Sequence, residues 1–253
     1  MISKTVKLML LSLIFISSSF AAELEVEADN SLEWHREEKL YIAKGNAKAS
    51  QDGKSILADT LYAHYNETEE SKVDISKIEA KGNVLITSGV TKILGDNGIY
   101  DLETQIFTIT GESLDILSEK YQIKANKKIV YFEADNKIEA LGDVVVYQEN
   151  NEMHCDKLTS LLDENDAGDI EVSKLFAEGN VEITTKTDKI TGDKGFYDMK
   201  SETSEIEGGV IIARSDSVII GDKATVNMKT GIAKMLSTSK DARVKAVFVT
   251  KDK

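Results

Sequence analysis

The residues that could carry chemistry are few: three histidines (His35, His64, His154), one cysteine (Cys155) and a nearly regular series of acidic or amide residues. That series runs Asp29, Asp59, Asp96, Asn126, Asp156, Asp193, Asp222. Imidazole and thiolate can hold zinc, but only where several ligands converge. The histidines share no ligand spacing and stand at unrelated places in the repeat described below. Cys155 fills a slot that elsewhere holds Ala58, Gly95, Ala125, Gly192 and Gly221, so a small packed side chain is expected there and not a nucleophile. The aspartate series could suggest calcium, yet the glycine-aspartate nonapeptide of calcium-binding β-rolls is absent. Its expected role is that of a backbone-bonding residue at a bulge. There is no G-x-S-x-G, no phosphate-cradling glycine loop and no isolated pair of carboxylates. The sequence predicts no enzymatic activity, no metal site and no cofactor.

The remaining candidates are apolar. Ile78, Val84, Ile86, Ile93, Tyr100, Ile138, Val144, Val146, Leu175, Val181, Ile183, Ile190 and Tyr197 are predicted to share one inward face, together with Tyr41, Phe107 and Val210. Most are medium or small, and aromatic residues are only 6% of the chain. Two readings stay open. One is an ordinary closed sandwich core; the other is an incompletely closed sandwich with a lengthwise slot for hydrocarbon chains, which gain about 0.8 kcal/mol per buried CH₂.

The elements that would position this face follow from an internal duplication. The segment SKIEAKGNVLITSGVTKILGDNGIYDLET, from Ser76 to Thr104, aligns without a gap on the segment that begins at Ser173, an offset of 97 residues. One glycine marks each unit: Gly45, Gly82, Gly111, Gly142, Gly179 and Gly208, with spacings of 37, 29, 31, 37 and 29. Six units thus form two copies of three. Around each glycine, apolar and small residues alternate with period two, as in Ile78, Ala80, Gly82, Val84 and Ile86, which is one-sided burial in an antiparallel sheet. The aspartate-anchored segments are the partner strands. Their apolar residues change parity at the small-residue–aspartate pair, which predicts a bulge or corner. The acidic stretches Asn66 to Ser76 and Asp163 to Ser173 are expected to be longer outward loops. Two strands per unit, with one more at Leu24 to Glu33 and a degenerate one at Arg243 to Val249, predict an all-β protein of about 14 antiparallel strands in repeated hairpins, without helices. No Gly/Ser-rich joint separates the copies, so residues 22–253 are expected to form a single elongated domain.

The composition agrees. Lys+Arg 31 against Asp+Glu 44 gives a net charge of -13, which leaves no basic footprint for nucleic acid or an anionic membrane surface. One cysteine excludes an internal disulfide. The chain has no proline, although about 5% is usual; the scarcity of arginine beside lysine points to codon bias as part of the cause. Residues 1–21 read as a signal peptide: basic Lys4 and Lys7, an apolar run from Leu8 to Ile16, and small residues Ser19 and Ala21 before a cleavage point at Ala22. An uncleaved amino-terminal anchor is the alternative.

The paired signatures A-x-G-N-V-x-I (Ala80 to Ile86, Ala177 to Ile183) and I-x-G-D-x-x-x-Y-D (Ile93 to Asp101, Ile190 to Asp198) resemble the OstA-like family from Leu24 to about Ala233. This group contains the periplasmic LptA, LptC and the amino-terminal part of LptD. The resemblance implies a twisted β-jelly roll with an open apolar interior that carries the lipid A acyl chains of lipopolysaccharide from inner to outer membrane. It implies partners as well: LptC-like and LptD-like OstA modules, or further copies of the chain joined end to end. The lack of a following β-barrel argues against the LptD type, and the cleavable-looking signal favours the LptA type over an LptC-like anchored component. The number of strands exceeds that of a minimal member, and a closed β-scaffold of the cell envelope is the reading from another class.

Overall fold

The computed structural model describes residues 24–51, 53–67, 73–164, 170–227, 229–230, 232–238 and 243–249. The segment read as a signal peptide lies outside them. The described residues form eighteen strands. They begin with β1 (Glu25–Glu27), β2 (Ser31–His35), β3 (Leu40–Gln51), β4 (Lys54–Glu67), β5 (Val73–Ser88) and β6 (Thr91–Asp101). Four short strands follow: β7 (Ile106–Thr110), β8 (Leu114–Leu117), β9 (Gln122–Ala125) and β10 (Lys128–Phe132). Then come β11 (Lys137–Gln148), β12 (Asn151–Glu164), β13 (Ile170–Thr184), β14 (Asp188–Asp198), β15 (Thr203–Arg214), β16 (Ser217–Asn227), β17 (Ile232–Leu236) and β18 (Lys245–Phe248).

Ten of these strands are long and bent, and the other eight line up end to end in pairs. The result is fourteen rungs, each folded over a corner, in agreement with the expected number of strands. On one side of the corner lies a first face, ordered β2–β3–β4–β5–β6–β7–β10–β11 and onward to β16–β17. On the other side lies a second face, ordered β1–β3–β4–β5–β6–β8–β9–β11 and onward to β16–β18. All neighbours are antiparallel. The seam between the two copies is paired on both faces, β7 with β10 and β8 with β9.

The corner is a bulge with a repeated composition. Between β5 and β6 the register passes from Lys81↔Asn97 to Val84↔Gly95, so Gly82 and Asn83 oppose the single residue Asp96. The extra residue sits in the glycine strand, and the aspartate strand therefore changes parity, as its apolar pattern indicates. Gly82 has φ +77° and Asn83 φ +48°. Two successive left-handed residues swing the strand from one face to the other, and the Asn83 amide donates to both carboxylate oxygens of Asp59, at 3.1 and 3.0 Å. The same bond joins Asn46 to Asp29 at 2.7 Å and Asn180 to Asp156 at 2.9 Å. Aspartate bonds to backbone N–H at other corners, Glu112 to Asp96 (3.2 Å) and Thr238 to Asp222 (2.7 Å). The expected backbone-bonding role thus holds at some corners, while elsewhere a side-chain amide takes it over.

One expectation is corrected. The acidic stretches after Asn66 and Asp163 are not simply loops. Their described residues prolong the hairpins β4–β5 and β12–β13, with Tyr65↔Ile75 and Leu162↔Val172 paired beyond a second register shift. Ser76 and Ser173, related by the offset, sit at that shift, and their hydroxyls donate to the carbonyls of His64 (3.3 Å) and Leu161 (3.2 Å). These stretches, read as loop, are in part strand, because β-branched residues such as Ile75 and Val172 continue through them.

The corner yields a stability test. A Cβ on Gly82 would overlap the Asp59 carboxylate at a positive φ, whereas one on Gly53, at φ +75°, meets nothing within 4 Å. Gly82→Ala is therefore expected to cost about 2 kcal/mol, or roughly 4–8 °C in Tm, and Gly53→Ala clearly less, as read by thermal unfolding followed by circular dichroism.

Candidate functional site

The corner places the apolar alternation of every rung on the concave side of both faces. Depth from the corner then decides burial. Two residues beyond the anchoring glycine, Ala47, Val84, Val144, Val181 and Val210 are at most 1% exposed. Two residues before it, Ala43, Ala80, Ala140 and Ala177 are also buried. Small side chains are needed there because the two faces converge. Farther out stand the larger residues, and many of them are only half-buried: Ile86, Ile93, Tyr100, Ile138, Leu175, Ile183, Ile190 and Ile212. The concave side, called the trough below, is thus buried next to the corner, its apex, and less covered toward the far ends of the strands, its mouth.

Twelve of the thirteen residues expected on the inward face belong to its two apolar clusters. Ile78 and Val84 lie in the amino-terminal one, Ile86 and Tyr100 touch both, and Ile93, Ile138, Val144, Val146, Leu175, Val181, Ile183 and Ile190 belong to the larger one. Tyr197 is half-buried and stands outside both clusters; it pairs with Leu175 on β13 and Ser204 on β15. Cys155 is buried, and burial first, with the neighbouring Asp156 charge second, pushes its thiol up to about 12. It is a packing residue and no nucleophile at neutral pH. Among the described residues no group of three or more His, Cys, Asp or Glu side chains is placed to hold a metal ion.

Sequence reasoning missed the amino-terminal end of the trough. Leu32 and Trp34 pair with Ala43 and Tyr41 and share their inner face, yet they are 64% and 50% exposed. Trp34 stacks on Tyr41 with centroids 5.8 Å apart, Tyr41 packs against Tyr65 at 5.0 Å, and the Trp34 indole N–H donates to the Tyr65 hydroxyl at 2.7 Å. The Arg36 guanidinium lies 4.0 Å over the Trp34 ring. The signal was in the duplication. The counterparts of Leu32 and Trp34 are Ile129 and Tyr131, and Ile129 is 1% exposed because β7 covers the edge of β10. The edge of β2 has no strand in that place among the described residues.

Across the mouth the two faces are tied. Lys54, at the tip of β3–β4 on the second face, meets Glu133, at the tip of β10–β11 on the first, at 2.7 Å. Tyr100 donates its hydroxyl to the other oxygen of Glu133, also at 2.7 Å. Burial pushes the Glu133 carboxyl up, but the Lys54 ammonium and the Tyr100 hydroxyl outweigh it and leave the group below its ordinary range. Burial and Glu133 together raise the Tyr100 phenol. A second tie joins Lys120, at the β8–β9 turn, to Glu171 on β13 at 3.5 Å. The first tie links rungs five apart, an offset of roughly 24 Å at the usual strand spacing, so the faces cross instead of lying in register.

The described residues thus form an all-β fold whose strands bend over a common corner and turn an apolar side inward on both faces. The comparisons name the family. The model of the LptA/(LptD N-terminal domain) LPS transport protein matches residues 25–134 and again 115–232, so the chain belongs to that family and is an LptA-family component of lipopolysaccharide transport. The family is one of transport proteins, not enzymes, and LptA homologues are periplasmic. Among solved structures the chain is similar to LptH, the LptA-homologous periplasmic component of the lipopolysaccharide transport device of Pseudomonas aeruginosa. Identity there is 13%, over 59% of this chain and 80% of that one, with a TM-score of 0.25. No curated protein matches.

The depth gradient makes a contrast measurable. Leu158 at the apex is 1% exposed, so Leu158→Ala is expected to cost about 2–5 kcal/mol. Ile190→Ala at the half-buried mouth should cost less than half of that in urea denaturation.

Proposed function

We propose that the trough binds lipopolysaccharide by its acyl chains, and that the chain is one segment of a bridge between inner and outer membrane. The observation that carries this reading is the gradient from a sealed apex to half-buried isoleucines and leucines at the mouth. A closed core would bury Ile138, Leu175, Ile183 and Ile190 as fully as Val181. Acyl chains laid along the half-buried Ile86, Ile93, Tyr100, Ile138, Leu175, Ile183, Ile190 and Tyr197, above the buried Ile78, Val84, Val144, Val146 and Val181, would remove that residual apolar surface from water, at about 25 cal/mol per Å². Phosphorylated sugar would stay outside, where the acidic exterior holds anionic groups away from the walls. Binding of this kind is passive, and direction has to come from an energy-consuming partner.

The ends fit assembly. Edge strands β1 and β2 at one end, and β17 and β18 at the other, carry no proline, and an even number of rungs lets a following copy continue the antiparallel order. LptC-like and LptD-like OstA modules, or further copies of this chain, are the partners of suitable chemistry. Export would use residues 1–21 as a cleaved signal, and residues 22–253 would act as one domain.

Neighbouring residues on opposite faces give the test. A photo-crosslinking residue at Ile138 or Ile183 is expected to label lipopolysaccharide, and one at Glu139 or Glu182 is not; equal labelling overturns the trough reading in favour of a closed scaffold. For the ends, proline at residues of β1 or β18 whose N–H faces the free edge should leave the circular dichroism spectrum unchanged and abolish end-to-end association in analytical ultracentrifugation.

A further inference from the structure

If acyl chains lie inside the trough and the headgroup outside, the neck of each lipid passes through the mouth. A tie that spans the mouth therefore stands in the path of every lipid that slides lengthwise. Lys54–Glu133 is such a tie: its partners come from opposite faces and from turns 79 residues apart in the chain. Lys120–Glu171, 51 residues apart, is another. Both are built to open. Each rests on a single lysine at the rim, with side-chain exposures of 56% for Lys54 and 64% for Lys120, and exposed ion pairs are weak and exchange readily with other ions. The carboxylate side of the first tie is held in addition by Tyr100 of the same face, at 2.7 Å.

Resting on the reading of the trough as a lipopolysaccharide site, we infer that Lys54–Glu133 and Lys120–Glu171 are gates across the mouth, opened when an anionic headgroup phosphate takes the lysine from its glutamate. The exchange leaves no lysine without a counter-ion at any stage: the ammonium passes from carboxylate to phosphate, and back once the neck has gone by. The gates divide the mouth into compartments. The amino-terminal one, floored by Leu32, Trp34 and Tyr41, is the uncovered one, and lipid arriving there has to pass the first gate to reach Ile183 and Ile190.

The test uses the full mature chain carrying Cys155→Ala, a slot that is alanine in the first copy (Ala58). Lys54→Cys and Glu133→Cys are added and joined by a short bismaleimide with a cleavable centre. Time courses of lipopolysaccharide photo-crosslinking are then read at Leu32 and at Ile190. With the gate closed covalently, labelling at Leu32 should keep its rate and labelling at Ile190 should slow at least tenfold, with recovery when the linker is cleaved. Equal rates at both positions with the linker intact overturn the gate. In the uncrosslinked chain, lipopolysaccharide with its lipid A phosphates removed should reach Ile190 several-fold more slowly than the intact lipid, and Lys54→Gln combined with Lys120→Gln should erase that difference. Passage indifferent to phosphate overturns the exchange. Absence of labelling anywhere in the uncrosslinked chain instead refutes the trough reading itself, so the two failures are distinguishable.

Discussion

The corner bulge is the constraint on which everything else depends. A strand that ran straight through would present its alternate residues to one flat sheet, with no concave side. Two left-handed residues at Gly82 and Asn83, opposite one residue on the neighbouring strand, fold the strand while keeping Ala80 and Val84 on the same side. Aspartates beneath these pairs hold the fold at three of the corners. A glycine strand and an aspartate strand must alternate for the bulges to nest, and this is why the unit of repetition is a hairpin. The trough, its apolar floor and its graded burial all descend from that one local geometry.

Much of this was legible in the sequence because it is periodic. Fourteen rungs, the glycine and aspartate anchors, the parity change and nearly all of the inward residues follow from spacing alone. What was not legible is what the period does not encode. The crossing of the two faces brings Lys54 to Glu133, a consequence of sheet twist summed over several rungs, and no local pattern announces it. The exposure of Leu32 and Trp34 follows from an edge of β2 that no described strand covers, which the repeat spacing does not announce. Tyr197 has the right parity and yet stands outside the packed clusters, since parity assigns a face and not a contact.

The missing proline is explained in part by the same architecture. In a meander of this kind only the first and last rungs have a free edge, and proline elsewhere would remove a ladder donor. Twelve of the fourteen rungs are paired on both sides. Codon usage can account for some of the deficit, but the fold offers few places where proline would be tolerated.

The seam where β7 meets β10 and β8 meets β9 has a further meaning. It joins two homologous blocks, and it is the covalently tethered version of a joint that separate chains would have to make by diffusion. A tethered joint forms at an effective concentration of order millimolar for a short connection, regardless of how scarce the protein is, and it does not fall apart under dilution or load. Duplication makes this contact permanent at any protein concentration. A span built from such double-length chains needs about half as many dissociable contacts, and so survives at lower copy number than one built from single blocks.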